Sequence, residues 1–124
     1  KIMILIYSPF PLNENQIYNQ MELFKDKLSM FFVDDNSFIY SSETNQKLLR
    51  EIIINHKVFL FYTHSIKQMG FTPTQISELI IFLLKNGCEF QSELENLYFK
   101  KSDLDTIYPK IFEIFRDKTN SFQK

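Results

Sequence analysis

Residues 2–7, Ile-Met-Ile-Leu-Ile-Tyr, are an unbroken apolar run that ends in a loop framed by Pro9 and Pro11. A short run of this kind, rich in β-branched side chains and closed by a turn signal, reads as a strand buried on both faces. Such a strand needs a covering layer above and below, which points to a parallel α/β sheet. In open sheets of that class, ligands bind beyond the carboxyl ends of the strands. Chemistry is therefore expected first in the loop at residues 8–12.

The pattern recurs along the chain. Residues 30–33, 58–62 and 88–91 are further short strand-like segments. Helix signals separate them. Asn13 and Gln16 have capping-box spacing, and Ile17, Met21, Phe24 and Leu28 share one helical face. Thr44 can cap a helix carrying Leu48, Leu49, Ile52 and Ile53. Thr72-Pro73-Thr74-Gln75 is a strong helix start, and Gly87 a fitting stop. A last helix is expected over about residues 103–118, opened by Ser102–Thr106, with Pro109 tolerable only if the first turn starts near Asp105 or Thr106. The order βαβαβαβα, with right-handed crossovers and one reversal of winding, predicts a flavodoxin-like three-layer sandwich. Its four-stranded, mainly parallel sheet has order 2-1-3-4, with helices on both faces. The 124 residues are one domain's worth. The strand ends then share one edge, which collects Ser8, Asp34, Asp35, His64, Ser65, Ser92 and Glu95.

Bulk properties narrow the partners. No apolar run approaches the roughly 18 residues of a membrane span. A single cysteine, Cys88, rules out an internal disulfide framework and suggests a reducing, cytoplasmic setting. A net charge of −1 and a pI of about 6.1 argue against strong nucleic-acid binding by this piece alone. DNA is expected as a partner only through a segment beyond Lys124.

Several short motifs follow one another in a telling order. The first strand ends in Tyr7-Ser8-Pro9-Phe10-Pro11, and Gln20 lies on the helix that follows. Asp34-Asp35-Asn36-Ser37 follows strand two, Leu48-Leu49-Arg50 lies on the next helix, and Phe90-Gln91-Ser92-Glu93-Leu94-Glu95 closes strand four. In this order the chain resembles the catalytic domain of serine recombinases, the resolvase/invertase family, over essentially its whole length. The resemblance implies a nucleophilic serine and an arginine in the first loop, and an Asp-Arg-Leu-x-Arg motif after strand three.

Those positions depart from the family. The nucleophile falls on Pro11 and the first arginine on Pro9. The motif after strand three falls on Ser65-Ile66-Lys67-Gln68-Met69, and no arginine lies between Arg50 and Arg116. Attack on a phosphodiester needs a hydroxyl nucleophile and fixed cations around the developing charge. Losing one such donor typically costs roughly 10²–10³ in rate, and here nearly all are gone. The expectation is a recombinase-like domain without strand-cleavage chemistry, its degenerate site at Ser8, Pro9, Pro11, Ser65 and Gln68.

Other constellations carry less. Ser8, His64 and Asp34 are the residue types of a nucleophilic triad, but no nucleophile elbow is present. Asp34-Asp35 reads as turn capping. His56 and His64 flank a strand on opposite sides, so no metal site and no cofactor are expected. Glu78 is a rival. Nucleoside 2-deoxyribosyltransferases and Toll/interleukin-receptor-type NAD hydrolases place a catalytic Glu after a comparable strand, and Ser8-Pro9-Phe10 resembles a turn of the former. That resemblance implies an N-glycosyl enzyme using Glu78.

The last helix suggests self-association. Leu104, Ile107, Tyr108, Ile111, Phe112, Ile114 and Phe115 cover more than one stripe, and a helix docked on a sheet needs only one. A homodimer is expected through Leu104, Ile107, Ile111, Phe112 and Phe115. In the resembling family this position holds the helix that builds the dimer.

Overall fold

The computed structural model describes residues 3–7, 15, 29–33 and 43–122. The apolar runs become strands β1 (Met3–Tyr7), β2 (Ser29–Val33), β3 (Val58–Thr63) and β4 (Glu89–Ser92). They pair in parallel in the expected order, β2-β1-β3-β4. A fifth strand, β5 (Leu97–Phe99), turns back antiparallel to β4 and forms the sheet edge. Three residues are too few for a periodic signal. The chain reverses in a four-residue turn in which Asn96 donates its N–H to the Glu93 carbonyl and holds a positive φ of 54°. Asparagine tolerates that conformation better than most residues.

Among the described residues, three helices accompany the sheet: α1 (Glu43–Asn55), α2 (Pro73–Lys85) and α3 (Ile107–Phe122). The α2 start is a complete capping box. The Gln75 N–H donates to Thr72 Oγ1 at 3.1 Å, and the Thr72 N–H donates to Gln75 Oε1 at 2.9 Å. Its stop is a Schellman motif. The N–H groups of Cys88 and Gly87 reach back to the carbonyls of Leu83 and Leu84, with Gly87 at φ 78°. Of the helix expected over residues 13–28, Asn15 is helical and the rest lies outside the described residues.

Alternation along β1 sends neighbouring side chains to opposite faces, and both faces are buried. Ile4 and Ile6 pack with Leu60 and Tyr62 on one side. Leu5 and Tyr7 join the larger core on the other, where α1, α2 and α3 contribute Leu49, Ile80 and Ile111. An aromatic ladder crosses that core. Tyr7, Phe61, Phe90 and Phe99 stack in turn, with centroids 6.0, 5.7 and 6.3 Å apart across β1, β3, β4 and β5. Cys88 is buried below it, and burial pushes its thiol up to about 12, far from a reactive thiolate.

The last helix corrects the sequence reading. A 3-10 turn, Lys101–Thr106, precedes α3. Ile107 and Ile111 are fully buried in the chain's own core, so neither is available to a second copy. Leu104, Ile114 and Phe115 are partly buried against the same core. Tyr108 and Phe112 remain exposed, their rings stacked at 6.2 Å. The helix spreads its apolar residues because it packs on α2 as well as on the sheet, so one apolar stripe was never enough.

Candidate functional site

The described part of the strand-end edge is built from two segments. One is the chain leaving β3, Thr63 to Met69. The other is the tip of the β4–β5 hairpin. The parallel ladder runs on past the strand ends: the Glu93 N–H donates to the Thr63 carbonyl at 3.1 Å, and the Leu94 N–H to the His64 carbonyl at 2.7 Å. This zips the hairpin tip onto the loop after β3 and brings Glu95 over it.

Glu95 then closes the loop. Ser65 Oγ donates to Glu95 Oε2 at 2.6 Å, and Ser92 Oγ donates to Oε1. The Ile66 N–H, at the start of a short 3-10 turn, is shared between Glu95 Oε1 at 3.0 Å and Ser92 Oγ at 3.1 Å. Burial alone would raise the Glu95 carboxyl. The donors from Ser65, Ser92 and the Ile66 backbone outweigh it and hold the group below its ordinary value. Beside it, Glu93 is also lowered, by the Tyr62 hydroxyl first and then by His64, whose Nδ1 lies 3.1 Å from Glu93 Oε1. Lys67, Leu94, Glu95 and Ile114 line a shallow cleft of about 300 Å³ next to this clamp.

Four of the residues that sequence reasoning collected at this edge, His64, Ser65, Ser92 and Glu95, do come together. Ser65 and Ser92 are buried with their hydroxyls committed to Glu95, so they hold structure rather than await a substrate. Gln68 is exposed on the 3-10 turn. Ser8, Pro9, Pro11, Asp34 and Asp35 lie outside the described residues. Glu78 sits exposed in the second turn of α2 and lines neither described cleft. Reaction at an anomeric carbon calls for an enclosed carboxylate, so the geometry does not favour the N-glycosyl reading. Glu93 and Tyr62 were missed: an exposed Glu and a strand Tyr have no sequence signal until the hairpin folds them together. Among the described residues, no group of His, Cys, Asp and Glu is arranged to hold a metal ion. No described helix is long and apolar enough to cross a membrane.

No family model and no curated protein matches this chain. Solved structures do. The N-terminal catalytic domain of TP901-1 integrase superposes with a TM-score of 0.63 over 95% of this chain and 97% of that one, at 11% identity. At that identity the likeness establishes the fold. The mainly parallel sheet with its helices is the fold of that catalytic domain.

Proposed function

We propose that this chain is a serine-recombinase-like domain that serves DNA recombination by association, with itself and with DNA-bound partners, and does not cut strands. The observation that carries this reading is the state of the loop after β3. The resembling family presents arginines there to the scissile phosphate. At those positions this chain holds Ile66 and Met69, which are 0% and 4% exposed. In the same loop, Ser65 Oγ and the Ile66 N–H are turned toward a carboxylate, Glu95. A phosphoryl transition state gathers negative charge, and the ionised Glu93 and Glu95 repel it where the chemistry needs cations.

Self-association in this reading uses the exposed stack Tyr108–Phe112, with Leu104 and Phe115 at its margin. Sequence-specific contact with DNA in a recombination complex is made through partners.

The test has two arms. Supercoiled plasmid bearing candidate sites is incubated with the protein, and neither nicks nor protein–DNA adducts are expected. A covalent adduct through any serine, Ser8 included, refutes the reading. Light scattering at micromolar concentration should show a dimer that Phe112→Lys with Tyr108→Lys dissociates without loss of fold. A strict monomer removes self-association from the reading.

A further inference from the structure

We propose that the seam between α1 and α2 is a contact surface for a nucleic-acid phosphate backbone, with Arg50 at its centre. This extends the DNA-associated reading above and rests on it. The Arg50 guanidinium carbon lies 5.3 Å from the centroid of the Phe82 ring, so α2 supplies a platform for a cation carried by α1. Its Nε–H is buried and has no acceptor among the described residues. The acids Glu51 on α1 and Glu78 on α2 make no ion pair with it. The ion pair found among the described residues joins His64 and Glu93. A part-exposed guanidinium held on a ring, with no carboxylate partner among those residues, can offer its terminal N–H groups to an oxyanion from outside the chain.

More cations follow the same seam. Lys47 lies one turn before Arg50 on α1, and Lys85 one turn after Phe82 on α2, both exposed. Where α1 and α2 end, Lys57 lines a cleft of about 370 Å³ with Asn86 and Gly87. Lys47 lies eight positions before the end of α1 at Asn55, roughly 12 Å of axis at 1.5 Å per residue, and Lys57 follows just beyond that end. A small anion would meet one or two of these groups. A strand with a phosphate about every 3.4 Å of helix axis spans them all. The cleft opens at the amino end of β3, beside Val58 and Phe59, whereas Glu93 and Glu95 stand at the carboxyl end of the sheet. The carboxylate clamp therefore lies at the opposite end of the sheet from this cleft. Contacts of this kind position a protein on DNA without reading its sequence.

Fluorescence anisotropy of a labelled 30-base-pair duplex of mixed sequence, titrated with the full chain from 20 to 200 mM KCl, tests this. Salt-dependent binding is expected. Lys47→Glu with Lys85→Glu should weaken it at least tenfold and lower the log–log salt slope by about two. Arg50→Ala should weaken it similarly, with Arg50→Lys only partly restoring it. Lys100→Glu with Lys101→Glu, an exposed pair elsewhere, should change it less than twofold. Circular dichroism monitors the fold; the exposed lysine changes keep the test valid even if Arg50→Ala unfolds. If the seam variants bind like the wild type, the seam is refuted while DNA association stands. If polyglutamate binds as tightly as the duplex, an acidic protein partner replaces nucleic acid and the proposal fails. If the wild type binds no duplex at 20 mM KCl, both the seam and direct DNA contact by this chain are refuted.

Discussion

Replacing Glu95 by glutamine keeps the side chain's length and one carbonyl acceptor but removes its charge. Three donors reach this carboxylate: Ser65 Oγ at 2.6 Å, the Ile66 N–H at 3.0 Å, and Ser92 Oγ. A hydrogen bond to a charged acceptor contributes about 1.5–3 kcal/mol, against about 0.5–1.5 for a neutral pair. The difference is about 1 kcal/mol per bond. Glu95 is only partly buried, and solvent screening reduces the total, so the expected loss is about 1–2 kcal/mol at pH 7. The loss should depend on pH. A carboxyl lowered in the folded state contributes stability that is fully present above its unfolded value, 4.5 here, and is lost as pH falls through the folded value. The substituted amide does not titrate. The gap between wild type and Glu95→Gln should therefore be flat from pH 7 to 5 and shrink below pH 4.5. Glu93 titrates in both proteins and cancels from the difference. Urea denaturation followed by far-ultraviolet circular dichroism at pH 7, 5 and 3.5 measures the gap. Equal stability at pH 7, or a gap that persists unchanged at pH 3.5, would refute the clamp.

Two further changes test the frame that holds the site. Phe90 is fully buried, stacked between Phe61 and Phe99 in the middle of the ladder, and Phe90→Ala should cost about 3–5 kcal/mol in urea denaturation. A loss below 1 kcal/mol would mean the ladder collapses around the gap. Lys57 holds a φ of 51° between α1 and β3, where a side chain costs about 1–2 kcal/mol and glycine costs nothing sterically. Glycine's extra freedom in the unfolded chain returns about 0.5–1 of that, so Lys57→Gly should stabilise by about 0.5 kcal/mol. A lower melting temperature contradicts the strain.

Much of the architecture was legible because it rests on local signals. The apolar runs, the Thr72–Gln75 cap and the Gly87 stop each report their own neighbourhood, and the alternation of runs and helices leaves few topologies once crossovers must be right-handed. The carboxyl edge was legible to the same degree: His64, Ser65, Ser92 and Glu95 fall at strand ends whichever way their side chains turn. The meeting of Phe90-Gln91-Ser92-Glu93-Leu94-Glu95 with the loop after β3 was not legible. It joins residues about 30 positions apart through a hairpin whose second strand has only three residues. The same limit governed the last helix. Its apolar residues look surplus when one face is assumed to be enough, and only packing against α2 shows Ile107 and Ile111 consumed inside the chain. Arg50 makes the point a third way. In the sequence it is one charged residue in a helix. The fold sets it over Phe82, buries its Nε–H and brings it no carboxylate among the described residues, and those are properties of the space between two helices rather than of either one. Local sequence could set strands, helices and their order, because each depends on near neighbours. Which hydroxyl meets which carboxylate, and which cation is left without a partner, depends on distant segments arriving together, and tertiary structure alone decides it.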